Sequence, residues 1–305
     1  MADLQSLKNF VVLARLKSFS RAAEQCNVTA SGLSRRIQAL ETWLGGPVFN
    51  RNSQQLELTY AGEKLLEAAL DVIPPLESVR NLVRRQSGTE QNHIRMAAPH
   101  VMSTIFFPTW LSVVHAWSSE VKLSVTSAVM NDCMAALKRN EVDFVVCFDD
   151  HNAAIDRRLR QEGLMDEIQS IPLADETLVP ISIPDTGGQP LYRLDGARSP
   201  LPYLAFSDEC SIGWALEEAL ELLPGLQLRQ ENENRLADGL RSMALVGMGV
   251  AWLPQKQVES DLLTGRLVRA GPGAFDVRIG IRMLRTAAPL GKRGEALWEM
   301  LQKTG

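Results

Sequence analysis

Apolar residues recur at helical spacing in three short segments near the start of the chain. In the first segment they are Leu4, Leu7, Phe10, Val11 and Ala14. Ser18 and Thr29 precede the second and third segments, and both residue types cap helices by accepting from free backbone N–H groups. Gly45 ends the third helix. Two short helices joined by a tight turn form the helix-turn-helix pattern.

The residues after the third helix predict a small hairpin, which would lie beside it as a wing. Its arms are 48–51 and 56–58, with polar residues between them. A long helical stretch begins at Thr59, and Pro74-Pro75 predicts a kink or short break within it. The polar run 84–92 is the best candidate for a flexible connection. We therefore predict a winged helix-turn-helix at 1–58, a linker helix at 59–91 and a second domain at 92–305.

Strand and helix patterns alternate from residue 93 onward. Strands are predicted at 94–98, 122–129, 142–148, 176–183, 203–206, 226–231, 250–252 and 277–284. Helices are predicted at 104–117, 132–139, 212–223, 236–246 and 292–302. Such alternation is typical of a mostly parallel sheet covered by helices. We expect two α/β lobes with a cleft between them, lobe one at 92–167 and 269–305 and lobe two at 168–268.

The net charge differs in sign between the N-terminal and C-terminal parts of the chain. The 305 residues are 45% hydrophobic and 22% charged, which excludes disorder and a disulfide scaffold. The net charge of −4 on its own argues mildly against a nucleic-acid-binding protein. Residues 1–58 nevertheless hold seven basic and four acidic residues, a net charge of +3, and the residues beyond 92 have a net charge of −6. The positive charge lies on the helix-turn-helix, where phosphate contacts would be needed.

Other features of the sequence narrow the class of protein. The first residues lack the pattern of a signal peptide, and no stretch reaches the roughly 18 apolar residues of a membrane span, so we expect a cytoplasmic protein without membrane contact. The four cysteines are widely spaced and are expected to stay reduced. The histidines lack metal-ligand spacing, and nucleophile elbows, phosphate-binding loops and dinucleotide fingerprints are absent. No metal, cofactor or enzymatic activity is predicted.

Spaced residues within positions 2–70 resemble the LysR-type transcriptional regulators. They are Phe10-Val11-Val12-Leu13-Ala14, Ser18-Phe19-Ser20-Arg21-Ala22-Ala23, Ser34-Arg35-Arg36-Ile37, Leu40-Glu41, Leu44-Gly45, Phe49-Asn50-Arg51 and Leu58-Thr59-Tyr60-Ala61-Gly62. A later stretch, 247–254, is similar to the family's glycine-containing segment. Together with 94–100, its Trp252-Leu253-Pro254 run resembles the hypochlorite-responsive branch of the family.

The resemblance implies a fold and a set of partners. It implies an all-α winged helix-turn-helix with a dimerising linker helix, followed by an α/β two-lobed effector domain like the periplasmic binding proteins. It further implies a homodimer or homotetramer that binds double-stranded operator DNA, takes a small-molecule effector in the inter-lobe cleft and acts with RNA polymerase.

The third helix is expected to enter the major groove of DNA. The candidate DNA-binding residues are Ser18, Ser20, Thr29, Ala30, Ser31, Ser34, Arg35, Arg36, Arg51 and Gln54. Arg35 is the candidate for a bidentate guanine contact, and Arg36 and Arg51 are expected to hold phosphates. The family commonly has glutamine where Ala30 stands and a larger residue at Gly32, so Ala30 would contact a thymine methyl instead. The alternative is that the arginine pair is only a solvated helix face.

Ligands of two-lobed α/β modules bind where strand ends and helix N-termini face the cleft. The candidate effector-binding residues at such positions are His100, Ser103, Thr104, Met130, Asn131, Phe148, Ser207 and Gly249. Helix N-termini favour anions, so a polar or anionic effector is expected. The alternative for Ser103 and Thr104 is that their hydroxyls only cap the helix.

The sequence is compatible with two alternative functions. The first is the same architecture switched by oxidation of Met or Cys. Cys210 lies beside acidic residues that would raise the pKa of its thiol, and Met96, Met134, Met243 and Met283 fall on apolar faces. Asp149-Asp150 is expected to be a solvated loop. The second rival, from another class, is a small-ligand-binding or enzymatic α/β protein.

Overall fold

The computed structural model describes residues 3–50, 56–86, 92–150, 153–197, 199–223 and 225–304. They fall into two compact units, Met1–Asn81 and Leu82–Gly305. In the described residues, no helix has the length and apolar character that crossing a bilayer requires.

The first unit is built from helices and a two-stranded wing. In chain order its elements are α1 (Leu4–Leu16), α2 (Phe19–Gln25), α3 (Ala30–Leu44), β1 (Phe49–Asn50), β2 (Glu57–Leu58) and the start of α4 (Tyr60–Gln86). β1 and β2 pair antiparallel, which confirms the predicted hairpin. The caps predicted from the sequence are also confirmed. The Ser18 hydroxyl accepts from the N–H of Arg21, the Thr29 hydroxyl accepts from the N–H of Gly32, and Gly45 ends α3 with a φ of 85°.

One apolar cluster holds the wing and the three short helices together. Phe10, Leu13, Leu33 and Ile37 are almost fully buried in it. The ring of Phe10 lies 5.6 Å from that of Phe49, between ring centroids, and so joins α1 to the wing. The buried face of α3, formed by Leu33, Ile37 and Leu40, is therefore part of the core of this unit.

The sequence predicted a kink or a short break at Pro74 and Pro75. α4 continues through both prolines, so a break does not occur. Each proline removes one N–H donor, leaving the carbonyls of Leu70 and Asp71 without helical partners. Both of those residues are exposed, so water can hydrate their carbonyls and the cost of the missing bonds is small. The predicted linker at 84–92 begins within this helix, and residues 87–91 lie outside the described part of the chain.

The second unit contains the predicted α/β lobes. Lobe one holds β3 (His93–Pro99), α5 (Met102–Ile105), α6 (Phe107–Trp117), β4 (Lys122–Ala128), α7 (Met130–Lys138), β5 (Phe144–Asp150) and α8 (Ala154–Gln161). The chain then forms β6 (Ile168–Ser182), β7 (Leu201–Phe206), α9 (Ser211–Glu221), β8 (Leu228–Asn234), α10 (Ala237–Leu245), β9 (Ala251–Pro254), α11 (Gln255–Thr264) and β10 (Val268–Arg269). It closes with a 3₁₀ turn (Gly273–Phe275), β11 (Val277–Thr286) and α12 (Lys292–Thr304).

The expectation of a mostly parallel sheet is wrong. The large sheet has the order β10-β6-β11-β5-β3-β4, with β9 also pairing with β6. β4 and β5 pair parallel with β3, whereas β6, β9, β10 and β11 pair antiparallel. The reason is that β6 leads the chain out of lobe one and β11 returns beside it in the opposite direction. β7 and β8 form a separate parallel pair.

The pairing of β6 with β11 contains one irregularity. Ile281 lies opposite Ala174 and Arg282 opposite Pro172, so Leu173 is an extra residue in β6. Such a bulge bends the strand and increases its twist. The sequence predicted only the second half of β6, because exposed polar residues interrupt the apolar pattern of the first half.

Candidate DNA-contacting helix and effector cleft

The N-terminal turn of α3 presents small polar groups to solvent. Ala30 and Ser31 are exposed, and Ser34 is half-buried. The Thr29 hydroxyl is engaged in the cap, with its Oγ1 3.1 Å from the N–H of Gly32 and 3.2 Å from the Ser31 Oγ. A Cβ at Gly32 would lie 3.1 Å from the Thr29 Oγ1, so a larger residue there would crowd the cap.

The two arginines of α3 have different surroundings. Arg35 is exposed, and its side chain forms no ion pair or hydrogen bond with any residue that the structure describes. Arg36 is half-buried against α1, where its Nη1 lies 2.8 Å from the amide oxygen of Asn9 once that amide is oriented to satisfy both of its polar atoms. Arg36 is therefore not part of a purely solvated helix face, which was the alternative interpretation of the arginine pair. On α2, Ser18 is the cap residue and Ser20 is exposed.

A network of hydrogen bonds fixes the base of the wing. The N–H of Val48 donates to the Glu41 carboxylate over 3.0 Å, and the Thr59 hydroxyl donates to the carbonyl of Pro47 over 2.6 Å. The Thr59 Oγ1 also accepts from the N–H of Gly62, which caps α4. A Cβ at Gly62 would lie only 2.1 Å from the Val48 carbonyl oxygen. Glycine is therefore required where α4 crosses the wing. The proposed contacts of Arg51 and Gln54 lie outside the described residues.

The cleft of the second unit lies between two pairs of parallel strands. The carboxyl ends of β3 and β4 supply residues 99–101 and 128–132 to it, and those of β7 and β8 supply residues 206, 208–212 and 235–237. Loops from both lobes thus face each other at the strand ends, as in other open α/β ligand sites.

The inner part of the cleft is small and mostly apolar. Its volume is about 30 Å³, and Val101, Met130, Phe206, Ile212 and Leu236 are among the side chains that line it. His100 and Cys210 also line it. A space of this size holds one water molecule or one small apolar group.

The outer part of the cleft is larger and strongly charged. Its volume is about 510 Å³, and it is lined by the carboxylates of Asp132, Glu162, Asp208 and Glu209 and the guanidiniums of Arg158 and Arg235. The guanidinium of Arg158 lies 5.3 Å from the ring centroid of Trp214, and that of Arg235 lies 3.5 Å from the Glu209 carboxylate. Asp132 and Asp208 form no ion pair with the residues that the structure describes. The Oδ1 of Asn131 is buried without a hydrogen-bond partner.

The structure brings some of the predicted effector residues to the cleft and places others elsewhere. His100 and Met130 line its inner part, and Asn131 lines its outer part. Ser207 lies just outside, in a groove between α9 and the β7–β8 pair, where its Oγ is buried without a partner.

Four of the predicted effector residues do not line these cavities. α5 is a single turn of four residues, and on it the Thr104 hydroxyl donates to the carbonyl of Val101 while Ser103 pairs with Ser127. Phe148 is fully buried because β5 continues two residues beyond it. Gly249 packs against β7, where a Cβ would lie 2.6 Å from the Pro202 carbonyl oxygen.

Seven charged or aromatic residues of the outer cleft were not predicted from the sequence, namely Asp132, Arg158, Glu162, Asp208, Glu209, Trp214 and Arg235. Arg235 follows the end of β8, so the strand-end rule would have found it had the predicted strand not stopped at residue 231. Arg158 lies on α8, whose few apolar positions among many charges hid the helix.

The expectation of a solvated loop at Asp149-Asp150 is wrong, because both residues belong to β5. Asp149 pairs with the buried Arg282 at 3.4 Å. The Asp150 carboxylate accepts from the N–H groups of Ala154 and Ile155 and so caps α8. Both carboxylates therefore stabilise the fold.

Burial raises the pKa of all four thiols. It raises the pKa of Cys133 to about 12 and that of Cys147 to about 11. The pKa of Cys210 is raised by burial and not by the neighbouring acids expected from the sequence, and burial also raises the pKa of Cys26. Thiolate formation is disfavoured at each site, which disfavours oxidation at cysteine.

Family models match both parts of the chain. Residues 4–63 match the bacterial regulatory helix-turn-helix protein of the lysR family, and residues 87–305 match the LysR substrate binding domain. A helix-turn-helix followed by a ligand-binding α/β module defines a DNA-binding transcriptional regulator with an effector domain. The chain belongs to the LysR family.

Named relatives are similar along nearly the whole chain. The Escherichia coli K12 transcriptional regulator YjiE is 25% identical over 299 residues, which are 97% of this chain and 93% of that protein. The structure of Vibrio fischeri DarR in complex with DNA is 27% identical, with a TM-score of 0.59 over 99% of this chain and 98% of that one. Full-length HypT from Salmonella typhimurium, described as hypochlorite-specific, is 25% identical, with a TM-score of 0.56 over 99% and 97%. Membership of this family excludes the alternative of an enzymatic α/β protein.

Proposed function

We propose that this regulator binds operator DNA through α3 and responds to a small molecule held in the cleft of its effector unit. The observation that supports DNA contact is the exposed N-terminal turn of α3, which presents Ala30, Ser31 and the unpaired Arg35. Ser18, Ser20, Thr29 and Ser34 would add contacts from the same face, with Arg51 and Gln54 adding contacts from the wing. A protein that binds operator DNA acts in the cytoplasm, so we propose that location.

Binding to the DNA upstream of its own gene tests this proposal. Arg35→Ala should lower operator affinity by about 1–3 kcal/mol, the range for a bidentate guanine contact. Arg160→Ala on α8 removes an exposed arginine from the effector unit and is the matched control. Unchanged affinity for Arg35→Ala in fluorescence anisotropy would contradict the role given to Arg35.

Self-association is supported by the surface of α4. The apolar residues Val72, Leu76, Val79 and Val83 recur at spacings of three and four and are 48–59% exposed. An exposed apolar stripe of this kind on a helix is typical of an interface with another helix. We therefore propose that α4 pairs with a second copy, as the family implies, within a homodimer or homotetramer that acts with RNA polymerase. Val79→Lys should shift the mass measured by light scattering towards the monomer.

The charges of the outer cleft favour an effector that donates hydrogen bonds. Its carboxylates outnumber its arginines, each arginine already faces a partner, and Asp132, Asp208 and the Asn131 Oδ1 remain available as acceptors. We propose a ligand with a polar donor group, such as a protonated amine, and a small apolar group for the inner cavity. This revises the anionic expectation, because the single turn of α5 does not provide the helix N-terminus on which that expectation depended.

A matched pair of probes tests the chemistry of the effector. Isopentylamine and isovalerate share a branched carbon skeleton and differ in the sign of their charge. A ligand of the folded state raises the melting temperature by mass action. The amine should therefore raise it, and Asp208→Asn should reduce that shift. Stabilisation by isovalerate alone would contradict the proposal.

Oxidant control is a second candidate, which the similarity to HypT favours. Met248 is 41% exposed, whereas Met96, Met134 and Met283 are fully buried and Met243 is half-buried against the core. Hypochlorite should then change operator binding of the wild-type protein but not of Met248→Leu. An equal response of both proteins would exclude Met248 as the sensor.

A further inference from the structure

Arg36 lies on the DNA-contacting helix but faces the interior of its unit. Its neighbour Arg35 is exposed, and the two residues are separated by about 100° around the helix axis. The partner of Arg36 is Asn9 on α1, which is only 1% exposed. With the Asn9 amide oriented to satisfy both of its polar atoms, the Arg36 Nη1 donates to the Asn9 Oδ1 over 2.8 Å, and the Asn9 amide nitrogen donates to the carbonyl of Gln5 over 3.2 Å. Both ends of the buried amide are therefore satisfied.

The charge of Arg36 also reaches groups on the other two helices. Hydrogen bonds from Ser6 hold the pKa of Asp3, the cap of α1, below its usual value, and the Arg36 charge lowers it further. Burial raises the pKa of the Cys26 thiol at the end of α2, and the Arg36 charge opposes that rise. The Arg36 charge thus acts on the start of α1 and on the end of α2, while its backbone belongs to α3.

We propose that Arg36 is a positioning residue, which fixes the rotation of α3 against α1 and thereby aims Arg35 and Ser34 at base edges. It does not hold a phosphate as the sequence pattern predicted. A guanidinium that leaves Asn9 for a phosphate would strand a buried amide oxygen, which then bears its full desolvation cost. This inference rests on the proposed DNA-binding role of α3.

The salt dependence of DNA binding separates positioning from phosphate contact. Each phosphate contact that is lost reduces the slope of log K against log salt concentration by about 0.9. With the full chain, Arg36→Gln should lower the ratio of operator affinity to scrambled-DNA affinity by about fivefold or more, while the slope stays at its wild-type value. Arg35→Gln removes one positive charge from the neighbouring position. It shows how much the affinity ratio falls when an exposed arginine of α3 is lost.

Variants of Asn9 complete the test. Asn9→Ala removes the acceptor and should lower the affinity ratio as Arg36→Gln does, and the double variant should be no worse than either single one. Asn9→Asp keeps an acceptor for the guanidinium and should retain the wild-type ratio. All ratios are measured well below the melting temperature of each variant. If Arg36 and Asn9 only stabilise the fold, these variants should lower the melting temperature and leave the affinity ratio unchanged.

Each outcome decides the inference. A shallower slope for Arg36→Gln, or a wild-type ratio for Asn9→Ala, would overturn the positioning role. If Arg36→Gln does not fold, the contrast between Asn9→Ala and Asn9→Asp decides alone. A wild-type protein that does not prefer operator DNA refutes the proposed function instead, before any variant is compared.

Discussion

The contact between α4 and the wing predicts the sign of one substitution. Gly62 lies in the first turn of α4, where alanine is ordinarily more stable than glycine by about 0.5–1 kcal/mol. The added Cβ would nevertheless lie 2.1 Å from the Val48 carbonyl oxygen, well inside any normal contact distance, and 3.0 Å from the Leu58 side chain. The closest atom belongs to the backbone, so no side-chain rotation relieves the overlap.

The wing or α4 must therefore move when this methyl group is added. Overpacking of this kind costs about 1–3 kcal/mol, which exceeds the gain in helix propensity. The movement also strains the Thr59 bond to Pro47 and the Glu41 bond to Val48, which hold the wing in place. We expect Gly62→Ala to destabilise the N-terminal unit by about 1–2 kcal/mol and to weaken operator binding.

Gly32→Ala is the matched control in the same unit. Its Cβ would lie 3.1 Å from the Thr29 side-chain oxygen only, and a small shift of that hydroxyl relieves the contact. Urea unfolding of the full chain, followed by the fluorescence of Trp43, compares the stability of the two variants. Equal or greater stability of Gly62→Ala relative to the wild type would refute the steric argument.

Three further predictions follow from burial and charge. Leu33→Ala in the core of the first unit should cost about 2.7–5 kcal/mol, whereas Leu44→Ala, at a position 37% exposed, should cost less than half as much in the same urea assay. Burial raises the pKa of Glu176, so its folded state holds the proton more tightly and the free energy of unfolding should fall as pH rises from the ordinary glutamate range through the raised pKa. Glu176→Gln should remove this part of the pH dependence, and an unchanged difference between pH 4 and pH 7 would contradict it. Arg158→Gln should lose about 0.5–2 kcal/mol of cation–π attraction to Trp214 and lower the melting temperature of the effector unit, and an unchanged melting temperature would show that this inter-lobe contact contributes nothing.

Local signals in the sequence predicted the first unit well. Caps and apolar spacing act within a few residues, so Thr29 and Gly45 marked the ends of α3 without knowledge of any partner. The direction in which Arg36 points could not be read in this way. Its position depends on Asn9, a polar residue whose burial becomes visible only when α1 and α3 are packed together.

The second unit shows the same division between local and long-range information. The loops after β3, β4 and β7 were found because strand ends are local features. The antiparallel return of β11 was not found, because pairing direction depends on residues about a hundred positions apart. The charge of the outer cleft was missed for a related reason, since Arg158 and Arg235 come from different lobes and form one site only after folding.

The uninterrupted course of β6 sets the mechanical character of the effector unit. Lobes joined by free loops can swing through large angles at little cost, whereas β6 and β11 join these lobes as a hydrogen-bonded ribbon. Opening the cleft widely would break hydrogen bonds between β6 and β11, so the ribbon resists large relative movements of the lobes. Its compliant point is the bulge at Leu173, next to Pro172, which has no N–H to contribute to the ladder. Effector binding would then change the twist of the ribbon slightly at this bulge. Substitutions that strengthen or loosen the bulge would alter the response to the effector without changing any residue that contacts it.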